Sequence, residues 1–391
     1  MSRGTATAAG GCLARAVVRL RDLVQTAFRL LPWPTEPGLR RVGTPGALSP
    51  VILTGNYDLT VRRVLQALEG LDAWVVVAPS GGINVWCAAA GGHLTTHQVV
   101  TALKTSGIAE HVQQRRVILP QLAATGVEIR EVARRAGWQA RFGPVYAEDL
   151  PRYITGGERK TDDMRHVRFD VGERLEMATS WAAPTAIVVA AIAAVLQPAW
   201  IAPLVALAIA LSLAVFLFYD RLPEPRRVLA GVLAFGGVAI VAALGGGSLV
   251  TVGGAALSSV ALTALLTFDY SGSTPIEGGS QFEEHRWRIA LDLDRCVGVY
   301  TCWQVCPEAC FEKLEERRQV ALAHDDRCIR CGACVVQCPQ DALALEDETG
   351  RRVEPAVIRR FKLTMLGRRT VDAGGAGSGS GPPVGSDQRP R

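Results

Sequence analysis

Four apolar runs without a charged residue fill the middle of the chain: Ala182–Pro198, Ile201–Tyr219, Val228–Gly245 and Ser248–Phe268. A helix needs about 20 residues to cross the hydrocarbon core of a bilayer, and ~17 is the short limit. The pattern therefore predicts a four-helix transmembrane domain over residues 179–270. Arg159, Lys160, Arg165, Arg168 and Arg174 precede the first run, and Arg221, Arg226 and Arg227 separate the second from the third. The loops Gln197–Trp200 and Gly245–Gly247 carry no charge. Under the positive-inside rule, both flanking domains and the middle loop then face the cytoplasm, at the cell inner membrane.

Ahead of these runs the period changes. Val51–Leu53, Ala73–Ala78, Ile83–Cys87, Arg116–Leu119 and Gln139–Phe142 read as short strands. Leu59–Leu68 and Val127–Ala136 have helical spacing, and Thr95 with Gln98 forms a capping box that opens a helix over Thr96–Leu103. Strands alternating with helices predict a parallel α/β sheet, placed at residues 37–178. In the leader, residues 1–36, Arg15, Arg19, Arg21 and Arg29 stand among apolar residues at roughly helical spacing. That suits a helix lying on anionic lipid, or equally a disordered leader. A linker is placed at 271–283 and a tail at 349–391, disordered from about Gly374, where Gly, Ser and Pro dominate.

The net charge of +5 is spread over several segments, so no nucleic-acid stripe is read from it. Cysteine changes the picture more. Of ten cysteines, eight lie between Cys296 and Cys338. Cys328, Cys331, Cys334 and Cys338-Pro339 form the C-x2-C-x2-C-x3-C-P run of bacterial ferredoxins, which places an α+β two-cluster ferredoxin domain at residues 284–348. Zinc is the competing reading of paired CxxC, but a zinc site needs no fourth cysteine at that offset. The upstream copy has Cys296, Cys302 and Cys306-Pro307, with Val299 where its second cysteine belongs. Two-cluster wiring then gives Cys306, Cys328, Cys331 and Cys334 to a [4Fe–4S] cluster. Cys296, Cys302 and Cys338 are left to hold either a [3Fe–4S] cluster or a [4Fe–4S] cluster with a non-cysteine ligand. Cys310 is a substitute ligand or a spare buried thiol; Cys12 is assigned nothing.

Asn84-Val85-Trp86-Cys87-Ala88-Ala89-Ala90-Gly91-Gly92 is the most unusual stretch. From the residues alone, Cys87 is a small core hydrophobe or a ligand. The Ala/Gly run serves either close packing or the approach of something large and flat. His93 and His97, four apart, read as a solvated helix start, with ligation of a metal as the alternative.

This segment resembles the NVWCA(A/G)GK signature of the corrinoid protein of microbial mercury methylation, a family similar to the corrinoid subunits of acetyl-CoA synthesis. Asn56-Tyr57, Gly70–Trp74, Leu119–Leu122, Gly143–Val145, Met164-Arg165, Val167–Phe169 and Ser271–Pro275 look like further landmarks in order. The resemblance spans about residues 37–348 and implies a Rossmann-like corrinoid-binding domain fused to its ferredoxin partner. It makes Cys87 the lower ligand of cobalt and the catalytic residue. Asn84 to Gly92, with Thr95 and Thr96, would line the corrinoid's lower face. The implied activity is corrinoid-dependent methyl transfer to Hg(II), with the ferredoxin returning cobalt to its reduced state. Methyl donor and electron donor are not indicated. Two alternatives are a membrane iron–sulfur carrier without corrinoid and a methyl carrier to another acceptor. The chain departs from the family in four places. Ala90-Gly91 replaces Gly-Lys, Val299 replaces a cysteine, the tail from Ala342 has no cysteine, and four spans stand in place of five.

Overall fold

The structure, a computed structural model, describes residues 17–218 and 287–361 together with positions 253 and 257. The third apolar run, the fourth apart from positions 253 and 257, Arg221–Arg227, the linker, Cys12 and the Gly/Ser-rich tail lie outside the described residues.

Five strands form one sheet: β1 (Gly38–Val42), β2 (Val51–Gly55), β3 (Ala73–Ala78), β4 (Arg116–Leu119) and β5 (Gln139–Phe142), in the order β1-β3-β2-β4-β5. All pairings are parallel except β1 with β3. Alternate residues of the strands serve opposite faces, as the two-residue period of a strand requires. Val51, Leu53, Val76 and Ala78 enter one core, and Ile52, Val75, Val77 and Ile118 enter the other. The second core is closed by α2 (Asp58–Ala67) and α7 (Leu150–Thr155), through Val61, Val64, Leu150 and Tyr153. The first is closed by α3 (Val85–Ala90), α4 (Thr96–Thr105), the short α5 (Ile108–His111) and α6 (Ile129–Ala136). Both faces are thus covered, which is why the inner strands β2 and β3 and most of β4 read as apolar runs.

The leader is not bare chain. Residues 17–27 form a helix, α1, whose Gln25 donates to Asp58 at 2.8 Å and whose Arg21 pairs with the same carboxylate at 2.9 Å. Expected strand Ile83–Cys87 is corrected to helix α3. The Asn84 side chain accepts from the Cys87 amide at 3.0 Å. This cap and the following alanines outweigh the strand preference of Val85 and Trp86.

Helix α8 (Val171–Leu196) begins eleven positions before the first apolar run, capped by Asp170, and α9 (Ile201–Leu217) follows a short turn. They pack as an antiparallel hairpin over Ala178, Ala193, Leu207, Ala208 and Leu211. Among the described residues two helices are long and apolar enough to cross a membrane, and the other two expected spans lie outside them.

In the C-terminal domain β6 (Arg288–Leu291), β9 (Leu343–Glu346) and β10 (Arg352–Val353) form one antiparallel sheet. β7 (Phe311–Leu314) and β8 (Gln319–Leu322) form a hairpin. α10 (Thr301–Val305) and α11 (Ala333–Gln337) each follow a cysteine loop. α12 (Pro355–Phe361) extends the domain past residue 348, since Val353 and Ile358 lie in its core and Arg359 donates to the Cys338 carbonyl at 2.8 Å.

Candidate functional site

The loops that follow β2, β3, β4 and β5 gather at the carboxyl edge of the sheet, where open α/β sheets bind their ligands. Asn56, just past β2, is buried and organises this edge. Its Oδ1 accepts from the amides of Ser80 and Gly82 at 2.8 and 2.9 Å and from the Ser80 hydroxyl at 3.1 Å, while its Nδ2 donates to the Thr35 carbonyl at 2.9 Å. Gly82 has φ +68°, and an added Cβ would stand 2.4 Å from the Pro34 nitrogen, so only glycine fits there. Asn56 thereby fixes the loop that delivers Asn84 and Cys87. Although it fell within a landmark, its clamping role was not legible, because its partners lie 21 to 26 residues away.

Cys87 is exposed on the first turn of α3. Asn84 holds it twice: Oδ1 accepts from its amide, and Nδ2 donates to its Sγ at 3.4 Å. Gly91, Gly92 and His93 are exposed beside it. A Cβ on Gly92 would meet nothing within 4 Å, so the chain is open to solvent at that position. An exposed sulfur held by Asn84 could serve as a ligand to a bound group. Other expected site residues have different duties. Val85, Ala88, Ala89 and Ala90 are buried, and Trp86 is half-buried. The alanines serve close packing: a Cβ on Gly126 would lie 2.6 Å from the Ala89 carbonyl. Thr95 caps α4 in the expected capping box. Thr96 is buried and accepts from the Glu128 amide at 2.9 Å, so its hydroxyl tethers α6. His93 lies in the loop before α4 and His97 in its first turn, both exposed.

The cysteines of the C-terminal domain line two cavities. One is lined by Cys306, Cys328, Cys331 and Cys334 together with Cys310. The other is lined by Cys296, Cys302 and Cys338 together with Val299. Among the described residues no three His, Cys, Asp or Glu side chains converge on an ion-sized point. The fourth cysteine, Cys338, separated from Cys334 by three residues and followed by Pro339, is not required by a zinc site and suits a polynuclear cluster. Burial, and then the neighbouring thiols, push the Cys331 and Cys334 thiols upward, so cationic iron is what would hold them as thiolates. Burial beside Cys306 and Cys328 also raises Glu308 to about 8, and its Oε1 has no hydrogen-bond partner among the described residues.

These two sites are joined by a docked interface that sequence reasoning missed. Val305 and Ala333 lie in the core of the α/β domain's first face, with Cys331 packed against it. Gln337 of α11 donates to the carbonyls of both Ala124 and Val127, each at 2.7 Å. Ala124 belongs to the helical turn Gln121–Thr125, which also packs on α3. Two helix spacings, at most roughly 16–20 Å, therefore separate the axis of α11 from that of the Cys87 helix.

A latch just before α8 closes the interface. Lys160 donates to Gln121 Oε1 and to the Gln304 carbonyl, both at 2.8 Å, and the Val167 amide donates to the Pro307 carbonyl at 3.0 Å. Arg165, whose side chain is 4% exposed, donates to the Trp303 carbonyl at 2.8 Å. Its guanidinium carbon stands 3.4 Å from the centre of the Trp303 ring, and Lys313 lies 3.8 Å from the same centre. Burial, with Arg165 nearby, lowers Lys160 to about 7. Two of the cations counted toward topology are therefore interdomain contacts.

Residues 14–153 match the family described as the CO dehydrogenase/acetyl-CoA synthase delta subunit, and residues 323–344 match the 4Fe-4S binding domain. The acetyl-CoA decarbonylase/synthase complex subunit gamma of Methanopyrus kandleri is 33% identical over 125 residues, covering 32% of this chain and 27% of that protein. The corresponding subunit of Methanocaldococcus jannaschii is 35% identical over 129 residues, covering 32% and 26%. A gamma 2 subunit from Methanosarcina mazei is 38% identical over 141 residues, covering 35% and 29%. The chain thus spans under a third of the length of these curated relatives. It combines an α/β domain similar to the acetyl-CoA synthase subunits, including the sheet and Cys87, with a 4Fe-4S domain that contains Cys328, Cys331, Cys334 and Cys338.

Proposed function

We propose that this chain is a membrane-bound, corrinoid-dependent methyl-transfer protein that carries its own ferredoxin, with Hg(II) as methyl acceptor. The observation that carries the reading is the placement of Cys87. It is an exposed thiol at the carboxyl edge of the sheet, on a helix backed by the turn that seats the cysteine-rich domain. A bound corrinoid supplies a cobalt atom able to take up and give away a methyl group. Cys87 would be the protein ligand to that cobalt. Asn84 aims the sulfur and limits its motion, as outer partners of metal ligands do. Cys306, Cys328, Cys331 and Cys334 would hold the cluster nearest the Cys87 helix, and the latch at Lys160 and Arg165 keeps that cluster in place. The exposed outer face of the α8–α9 hairpin, with Ile187, Val188, Ile192 and Val195, suits lipid and would hold both domains at the cytoplasmic face of the inner membrane.

The mercury step rests on the resemblance of Asn84–Ala89. Methylmercury formation by purified, reduced, methyl-loaded protein tests it, and C87A should abolish that transfer. The similarity to subunits of acetyl-CoA complexes supports a second reading, a methyl carrier to another acceptor. Protein that accepts a methyl group but yields no methylmercury would decide for the carrier.

A further inference from the structure

The two cysteine sets differ at one corner. Four cysteines of the two motifs, Cys306, Cys328, Cys331 and Cys334, stand on the wall of the first cavity, and the fourth corner of the second is Val299, 51% exposed. The polar residues lining the second cavity are Arg295, Tyr300, Thr301 and Gln340. No Asp, Glu or His lines it. Arg295 has no lone pair to give and donates to the Asp341 carbonyl at 3.2 Å. The Tyr300 ring lies under the Lys313 ammonium at 5.3 Å. Thr301 and Gln340 offer only neutral oxygen, a poor match for cluster iron that takes thiolate or imidazole. Cys310, the nearest additional thiol in sequence, lines the other cavity, where its amide donates to Cys306 Sγ at 3.4 Å.

A fourth iron at the Val299 corner would therefore have no ligand among the described residues. We infer that Cys296, Cys302 and Cys338 hold a [3Fe–4S] cluster beside the complete [4Fe–4S] set. The inference rests on reading the cysteine motifs as a ferredoxin. It gives the two sites unequal reduction potentials, because cluster type moves the potential widely. It also puts the four-iron cluster on the side that packs against the α/β domain, through Cys331 and Ala333.

Iron and sulfide content of the full-length protein, purified anaerobically, would test this together with low-temperature EPR of the oxidised state. The wild type should hold about seven iron and about eight sulfide per chain and show the paramagnetic signal of an oxidised three-iron cluster. V299C should rise to about eight iron and lose that signal. About eight iron in the wild type with an EPR-silent oxidised state would overturn the inference, and so would about four, which would mean that the second site holds no cluster. The wild-type count decides even where V299C fails to fold. Cobalt measured in the same samples separates the two proposals. Seven iron without cobalt would remove the corrinoid reading and leave this one standing. Full cobalt with eight iron would do the reverse.

Discussion

Replacing Arg165 by alanine should undock the ferredoxin without unfolding either domain. The side chain gives a charge-assisted hydrogen bond to the Trp303 carbonyl, worth ~1.5–3 kcal/mol, and a buried cation–π contact worth ~2 kcal/mol. Part of this is returned, because Arg165 Nε is buried with no hydrogen-bond partner among the described residues and alanine removes that cost. A net loss of about 3 kcal/mol shifts the docking equilibrium roughly 100-fold. The Val167 amide is a built-in reporter, since it donates across the interface to Pro307. Hydrogen exchange at Val167 should accelerate roughly 100-fold in R165A, while amides of β4 and β5 keep their protection. R165K, with its charge but without the planar fork, should recover less than half of the loss. Undiminished protection at Val167 in R165A would refute the latch.

Asn56→Ala leaves the buried amides of Ser80 and Gly82 without an acceptor, at ~1–3 kcal/mol each. A lower thermal midpoint and weaker corrinoid retention should follow, and N56D, which keeps the acceptor, should lose less; equal losses would contradict the clamp. For Lys160 the folded pKa of about 7 lies below the ordinary value of 10.5, so between those values the unfolded chain binds the extra proton. Stability should therefore rise with pH across that window as the penalty for burying the charge is relieved. The rise in thermal midpoint from pH 7 to pH 9 should shrink in K160M, and an unchanged slope would show that Lys160 does not titrate there.

Local features of the fold were legible. β3 and β4 stand at the expected residues because short apolar runs suit a sheet covered on both faces, and β5 does because Ala140 and Phe142 alternate with exposed Gln139 and Arg141. The capping box at Thr95 and Gln98 placed the start of α4. β1 escaped notice because Arg40 and Arg41 break its apolar pattern at an edge, where such charge is tolerated. Ile83–Cys87 was misread because one capping side chain outweighs two strand-favouring residues. The start of α8 was placed late because its first turns carry Glu173, Arg174 and Glu176, which belong to the folded domain rather than to an apolar span. The interface was the least legible feature. Gln337 reaches partners 210 and 213 positions away, and Arg165 reaches one 138 positions away. No local pattern marks a lone polar residue for such a partner. The cysteine grouping around the two cavities follows from motif spacing, whereas the engagement of Cys310 with Cys306 needs the three-dimensional turn at residues 306–310.

The most direct test of the account is the cobalt content, with iron alongside, of protein purified anaerobically from cells supplied with corrinoid. About one cobalt per chain, lost or altered in its visible spectrum in C87A, is the predicted result. Iron without cobalt would contradict it and leave an iron–sulfur protein with an idle α/β domain.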